Sequence, residues 1–287
     1  MNRKILAVGS VVIACIFWSI SFSVSKILLR ELTPYELAFI RFLLASIFAD
    51  LFFYKSIRRA EFNWDYQKPL LIAGLLGVTL YFIFENWGLK FTSASEGALL
   101  VGSFPALGLF IEILTEKKKF PSNRTLGVVL SLLGVSLIVG NSGISFRLSN
   151  LFGDILILLS GLSWVLYNWQ IKKVNHKYSY EVLTFFQMLY GTILFIPFLF
   201  FTGIRIPSTF SGLIGIFYLA FFCSALGYLL YNFGLKVLAV SQVVNILNLI
   251  PLFGAIWGVI FLKESLGIVQ VFGGILIIIG VSITTWK

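Results

Sequence analysis

The sequence predicts an all-α integral membrane protein of ten transmembrane helices, built as two inverted five-helix repeats. Three observations lead there. Of the 287 residues, 59% are hydrophobic and 12% charged, with a mean hydropathy of +0.96, about half the charged fraction of an ordinary soluble domain. Apolar runs of membrane-spanning length follow one another along the whole chain. The second half also repeats the first at a fixed offset of 146 residues.

A helix needs about 20 mostly apolar residues to cross about 30 Å of hydrocarbon. The runs meeting that length are Ile5 to Ser25, Pro34 to Phe53, Pro69 to Gly88, Ser93 to Leu114 and Thr125 to Gly140. In the second half they are Leu151 to Gln170, Glu181 to Phe201, Ser211 to Gly234, Ala239 to Leu262 and Leu266 to Thr285. Arg3 and Lys4 followed by the run from Ile5 look superficially like a secretory signal, but the run passes Trp18 without a clear small-residue cleavage site, so it reads as a retained first helix. A barrel would alternate over about ten residues per strand; these runs are continuous, and some open at Pro, as at Pro34 and Pro69.

The net charge of +10 is explained by topology rather than by nucleic acid. With the N-terminus inside, basic residues such as Arg58, Arg59, Lys117, Lys118, Lys119, Lys172 and Lys173 fall in cytoplasmic segments, and fewer, among them Lys90, Arg147 and Arg205, fall opposite. This predicts both termini in the cytoplasm, in a cell (inner) membrane. Cys15 and Cys223 lie inside apolar runs, far from any second Cys, so neither a disulfide nor a metal site is expected.

The offset pairs Trp18 with Trp164, Lys26 with Lys172, Asn86 with Asn232, Ser95 with Ser241, Pro105 with Pro251 and Gly134 with Gly280. Residues 1–146 and 147–287 thus form two repeats. Five spans is an odd number, so the second copy enters the membrane in the opposite sense, a signature of transporters with a site between the halves.

These residues resemble the EamA-type branch of the drug/metabolite transporter superfamily. The resemblance covers both halves. It rests on the Trp-to-Lys stretch of each first helix, Arg41-Phe42, Asn86-Trp87-Gly88-Leu89-Lys90 with its twin Asn232-Phe233-Gly234-Leu235-Lys236, Pro105 and Pro251, Gly153-Asp154, and Lys263-Glu264 before the Gly-rich last helix. One departure is Lys118 at the place equivalent to Glu264. The resemblance implies a basket of helices moving small metabolites such as amino acids, export being the favoured direction. It also implies a cavity lined by the first, third, fourth, sixth, eighth and ninth spans, with the fifth and tenth as outer supports.

Several polar residues lie where lipid makes them costly. Gln242, Asn245 and Asn248 recur every three residues in the ninth span, an amide stripe that either lines a cavity or glues helices together. Trp18 and Ser21 in the first span and Trp164, Tyr167 and Asn168 in the sixth offer aromatic walls suited to an organic solute, or alternatively packing. Glu85 sits in the third span with Tyr81 and Asn86 beside it, and Tyr228, Tyr231 and Asn232 take corresponding positions in the eighth. Glu85 either binds a substrate amine, carries a coupling proton, or pairs with Arg41, which can also reach Glu96. Glu112 and Asp154 lie nearer span ends and read as structural, and Pro105 and Pro251 as kinks or gates.

No HExxH, phosphate loop or thiolate cluster appears, and the single His is His176 in a basic loop, so the chain is not expected to be an enzyme or to hold a cofactor. A small-molecule substrate and the bilayer are the expected partners, with oligomeric state and proton coupling open. The alternatives are a non-transporting receptor or scaffold, or a transporter of another solute class such as lipid-linked or sugar-containing metabolites.

Overall fold

The computed structural model describes residues 3–108, 122–140, 148–238, 243 and 246–285. Within them the chain is helical, with no strand. The helices are α1 (Arg3–Leu28), α2 (Pro34–Arg58), α3 (Trp64–Phe91), α4 (Ala94–Val101), α5 (Ser122–Gly140), α6 (Leu148–Val174), α7 (Tyr180–Thr202), α8 (Phe210–Val237), α9 (Leu249–Leu262) and α10 (Ile268–Thr285). Among the described residues six helices, α1, α2, α3, α6, α7 and α8, are long and apolar enough to cross a membrane, with shorter apolar helices in α5, α9 and α10. The expected fourth and ninth spans fall only partly within these residues, so they give six clear spans plus shorter helices rather than a count of ten. Phe200, Phe201 and Phe210 point outward, as lipid-facing side chains do.

Local chemistry sets the helix starts. Thr33 and Glu36 form a capping box ahead of Pro34, and Ser93 and Glu96 form another ahead of α4, each satisfying amides that the first helical turn leaves free. Ser179 and Thr209 cap α7 and α8 through their hydroxyls. α3 starts at Trp64, before the expected Pro69, because Asn63 caps it and the proline falls within its second turn.

The prolines expected in mid-helix lie instead beside interruptions. After Val101 the backbone turns, with Gly102 and Ser103 donating to the carbonyls of Leu99 and Leu100, and helix resumes over 104–108. Pro105 has no N–H for the Val101 carbonyl, and its ring would clash there. Pro251 lies in the first turn of α9, just past a turn at Asn248, where no amide is needed.

α1 packs against α8 and α9, α2 against α7, α3 against α6, and α4 against α9, while α5 and α10 pack chiefly on each other. Contacts recur at the 146-residue offset. The hydroxyls of Ser46 and its equivalent Thr192 face one another at 3.5 Å. The rings of Trp18 and Trp164 meet with centroids 5.8 Å apart. In the α5 and α10 pair, a Cβ on Gly134 would lie 2.5 Å from the Gly273 carbonyl, and one on Gly280 would lie 2.5 Å from that of Gly127. Reciprocal contacts of this kind define a pseudo-two-fold relation between the halves.

Bare backbone contact leaves no room for a side chain at these glycines. Gly280→Leu is therefore expected to separate α5 from α10 and destabilise the protein by about 1–3 kcal/mol, the usual cost of overpacking. A lowered melting temperature in detergent, with the peak of folded protein reduced on size exclusion, is the measurement; unchanged melting would show that the pair is not tightly packed.

Loops clasp at both ends of the bundle. Between α7 and α8, Arg205 makes a salt bridge of 3.0 Å to Glu36, while Thr209 Oγ1 and the Ser208 N–H donate to Glu31 at 2.8 and 3.1 Å. The Thr209 hydroxyl, with help from Ser208, holds the Glu31 carboxyl below the usual carboxylate range. Its contribution is therefore present above the unfolded value and lost as pH falls through the folded one. At the other end the Tyr178 hydroxyl donates to the Glu61 carbonyl at 3.1 Å.

Candidate functional site

The middle of the bundle is a cluster of aromatic rings around a few polar groups, and its geometry starts from two irregular turns. α3 contains a π-helical segment at Leu75–Leu80 and α8 one at Leu219–Leu226, overlapping when the repeats are aligned. A π segment shifts the backbone hydrogen-bond register and leaves carbonyls open to other donors. Trp18 Nε1 donates to the Cys223 carbonyl at 2.7 Å. Tyr228 Oη donates to the Gly77 carbonyl at 2.8 Å, and Ser163 Oγ to that of Leu76 at 2.7 Å. Each repeat thus offers a π-segment carbonyl, at the equivalent positions 77 and 223, to a side chain from another helix.

The rings pack around these anchors. Trp18 meets Tyr228 and Tyr231 at centroid distances of 5.7 and 5.4 Å. Trp164 meets Tyr81 at 5.5 Å, Tyr167 at 4.8 Å and Tyr231 at 5.4 Å. These separations suit edge-on and tilted pairs. Tyr81 has Gly227 as its repeat equivalent, and a Cβ on Gly227 would lie 2.8 Å from Trp18 Nε1. The second repeat gives up a ring there to admit the indole.

The two sides of the centre differ in charge. On one, Arg41 Nε donates to Ser224 Oγ at 2.7 Å and its guanidinium stands over Phe82, 4.4 Å from the centroid. Glu85, also buried, interacts with the Tyr81 hydroxyl and the Arg41 charge. Neither of the ion pairs allowed by sequence depth forms: among the described residues Arg41 makes no salt bridge to Glu85 or Glu96, because its ε nitrogen is turned onto Ser224 and Glu96 is engaged elsewhere. On the other side Tyr167 Oη donates to Gln187 Oε1 at 3.0 Å, Tyr231 Oη to Asn168 Oδ1 at 2.8 Å, and Asn168 Nδ2 to the Trp164 carbonyl at 2.8 Å.

Three other residues singled out by sequence, Ser21, Asn86 and Asn232, make their bonds away from the rings. Ser21 bonds the Trp18 carbonyl of its own helix. Asn86 Nδ2 donates to the Pro34 carbonyl at 3.1 Å, and Asn232 Nδ2 to Thr184 Oγ1 at 2.9 Å, so each ties the third helix of its repeat to the start of the second. Asn248 sits half-buried at the start of α9, its Oδ1 without a partner among the described residues. Gln242, Asn245 and Glu112 lie outside the described residues.

A second polar knot is structural. Glu264 accepts from the amides of Ala94 and Ser95, both at 2.8 Å, and from Ser95 Oγ at 2.6 Å. A left-handed Lys263, with φ of 55°, turns the chain back to place it there. Glu96 receives Gln270 Nε2 and Thr92 Oγ1, which also contacts Asp154 at 2.7 Å. Lys26 Nζ donates to the carbonyls of Leu89 and Thr92 at the end of α3, a favourable place for a cation. Sequence reasoning missed Ser224, Gln187 and the two backbone carbonyls. Only Gln187 carried a signal, as the repeat equivalent of Arg41.

Comparison with known proteins agrees with this architecture. Residues 5–140 and 151–286 each match the EamA-like transporter family. An uncharacterized transporter of Archaeoglobus fulgidus is 34% identical over 278 residues, covering 95% of this chain and 94% of the relative. The uncharacterized transporter YyaM of Bacillus subtilis is 27% identical over 277 residues, covering 93% and 89%. A protein of known crystal structure superimposes with a TM-score of 0.70 at 16% identity over 96% of this chain and 95% of its own, which shows a shared fold. With two matches that together span nearly the whole chain, this multi-pass membrane protein belongs to the EamA-like transporter family of the drug/metabolite transporter superfamily.

Proposed function

We propose that the chain is a secondary transporter of small organic metabolites, amino acids or related amine-bearing solutes, and that it exports them by alternating access. Its two halves, residues 1–146 and 147–287, are inverted repeats that rock about an axis in the membrane plane, in a cell (inner) membrane with both termini cytoplasmic. The observation that carries this reading is the meeting of repeat-equivalent residues at a polar, aromatic centre: Trp18 against Trp164, with a π-segment carbonyl from each half bound by a side chain from another helix. A centre shared by both halves is where alternating access requires the solute site.

Trp18, Tyr81, Glu85, Trp164, Tyr167, Asn168, Tyr228 and Tyr231 form its wall. Asn248 extends it at the start of α9, and Ser21, Asn86 and Asn232 support it from behind. Pro105 and Pro251 mark the interruptions at which gates bend, and Arg41 governs the charge between the halves.

Uptake of labelled amino acids into proteoliposomes, with and without a pH gradient, tests the reading. Wild type is expected to give saturable uptake and exchange of labelled for unlabelled solute, and Glu85→Gln to lower that uptake about tenfold or more, as loss of one buried charge-assisted contact implies. A gradient that accelerates wild type but not the variant makes Glu85 the coupling group. Absence of flux for every amino acid overturns the substrate class, and flux without saturation overturns alternating access.

A further inference from the structure

The two repeats meet at the centre with matched backbones but unmatched charges. Arg41 is 2% exposed and Glu85 3% exposed, whereas the residues at the same places in the second repeat, Gln187 and Tyr231, are neutral. Arg41 carries five N–H donors. Its ε donor goes to Ser224 and its face rests on Phe82, and among the described residues no acceptor is hydrogen-bonded to the two η nitrogens. Glu85 lies one turn along α3 from Phe82, on the same side of the helix as the ring beneath Arg41. Among the described residues it makes no salt bridge.

Two opposite charges buried in a bilayer gain most by closing on each other. These two feel each other's charge and do not close, so each keeps capacity of one sign beyond its contacts with Ser224 and Tyr81: the η donors of Arg41 and the remaining acceptor positions of Glu85. The neutral side has no charged surplus: Tyr167 is spent on Gln187, Tyr231 on Asn168 and Tyr228 on the Gly77 carbonyl, and what is left over there is the uncharged Nε2 donor of Gln187.

We infer that Arg41 and Glu85 together form a clamp for a zwitterion. Arg41 pairs with the carboxylate of the solute and Glu85 with its primary ammonium, while Trp18 and Trp164 take the remaining, less polar part. The guanidinium fork matches a carboxylate through two parallel N–H bonds, and the carboxylate of Glu85 accepts from an ammonium without needing a second cation. The charged end of the solute faces the first repeat and its side chain faces the aromatic centre. This rests on the transport reading and narrows its substrate class to free amino acids, with both charged groups unblocked.

The test is direct binding to the purified full chain in detergent, by calorimetry, of each standard amino acid, its methyl ester and its N-acetyl derivative. At least one free amino acid is expected to bind saturably, with both blocked forms about tenfold weaker or more. Arg41→Gln, which installs the residue of the other repeat, is expected to bind the ester as well as the free acid. Glu85→Gln is expected to do the same for the N-acetyl form. Blocked and free forms binding equally to wild type, or no amino acid binding at all, overturns the clamp, and this arm needs no variant to fold. Parallel flux in proteoliposomes separates the two ideas. Saturable transport of a solute lacking one of the charges, with no amino-acid binding, overturns the clamp and leaves a transporter. Amino-acid binding that keeps the stated preference, without flux of any solute, upholds the clamp and overturns transport.

Discussion

Trp18→Ala is expected to slow uptake in proteoliposomes about tenfold or more while the protein still inserts into the membrane. The indole is the joint of the centre. It touches its repeat equivalent Trp164, the rings of Tyr228 and Tyr231, and the Cys223 carbonyl. Its removal takes away a large apolar surface, a buried loss of about 3–5 kcal/mol by the usual core scale, and leaves the Cys223 carbonyl without its donor. Trp18→Phe separates these effects. It keeps a ring but no N–H, so the cost falls to that of an unpaired buried carbonyl, about 1–3 kcal/mol. Uptake for the Phe variant is expected between the Ala variant and wild type. An Ala variant that folds and transports at the wild-type rate would show that solute does not pass this centre.

Glu264→Ala is expected to lower stability by about 3 kcal/mol or more, since hydrogen bonds to a charged group contribute about 1.5–3 kcal/mol each and this carboxylate accepts three. The amides it receives belong to the first turn of α4, which has few other acceptors for them. Glu264→Gln retains an acceptor and loses the charge, so about half the effect is expected. Thermal unfolding in detergent measures both. Equal melting of wild type and the Ala variant would mean that Ser93 and Glu96 alone suffice to start the helix. The first repeat has no carboxylate to offer in return, because Lys118 stands at the place equivalent to Glu264.

Helix starts were legible where hydropathy and a capping residue agreed. Pro34 followed Thr33 and preceded Glu36, and a helix starts there. Pro105 and Pro251 misled, because a proline in an apolar run looks like a kink. Whether it bends a helix or starts one depends on the turn before it, and at Gly102, Ser103 and Asn248 nothing in the sequence distinguishes the two. Asn86 and Asn232 pose a related ambiguity. A polar group in a lipid-facing run must find a partner, and the sequence does not tell whether that partner is a solute or, as for Asn86, the carbonyl of Pro34 on a neighbouring helix.

Composition, the 146-residue offset and the placement of Trp18, Arg41 and Glu85 within apolar runs determined by themselves that this is a multi-pass membrane protein of duplicated halves with costly polar groups inside. Those are properties of the chain's transfer into lipid, and transfer depends on side-chain type and order along the chain. Only the tertiary structure decided that Trp18 meets Trp164, that π segments free the carbonyls of Gly77 and Cys223, and that Arg41 turns to Ser224 rather than closing on Glu85. Those outcomes are choices among partners. Each buried donor had several acceptors within reach of its helix, and packing of whole helices, not any one residue, fixed which acceptor lay at hydrogen-bond distance.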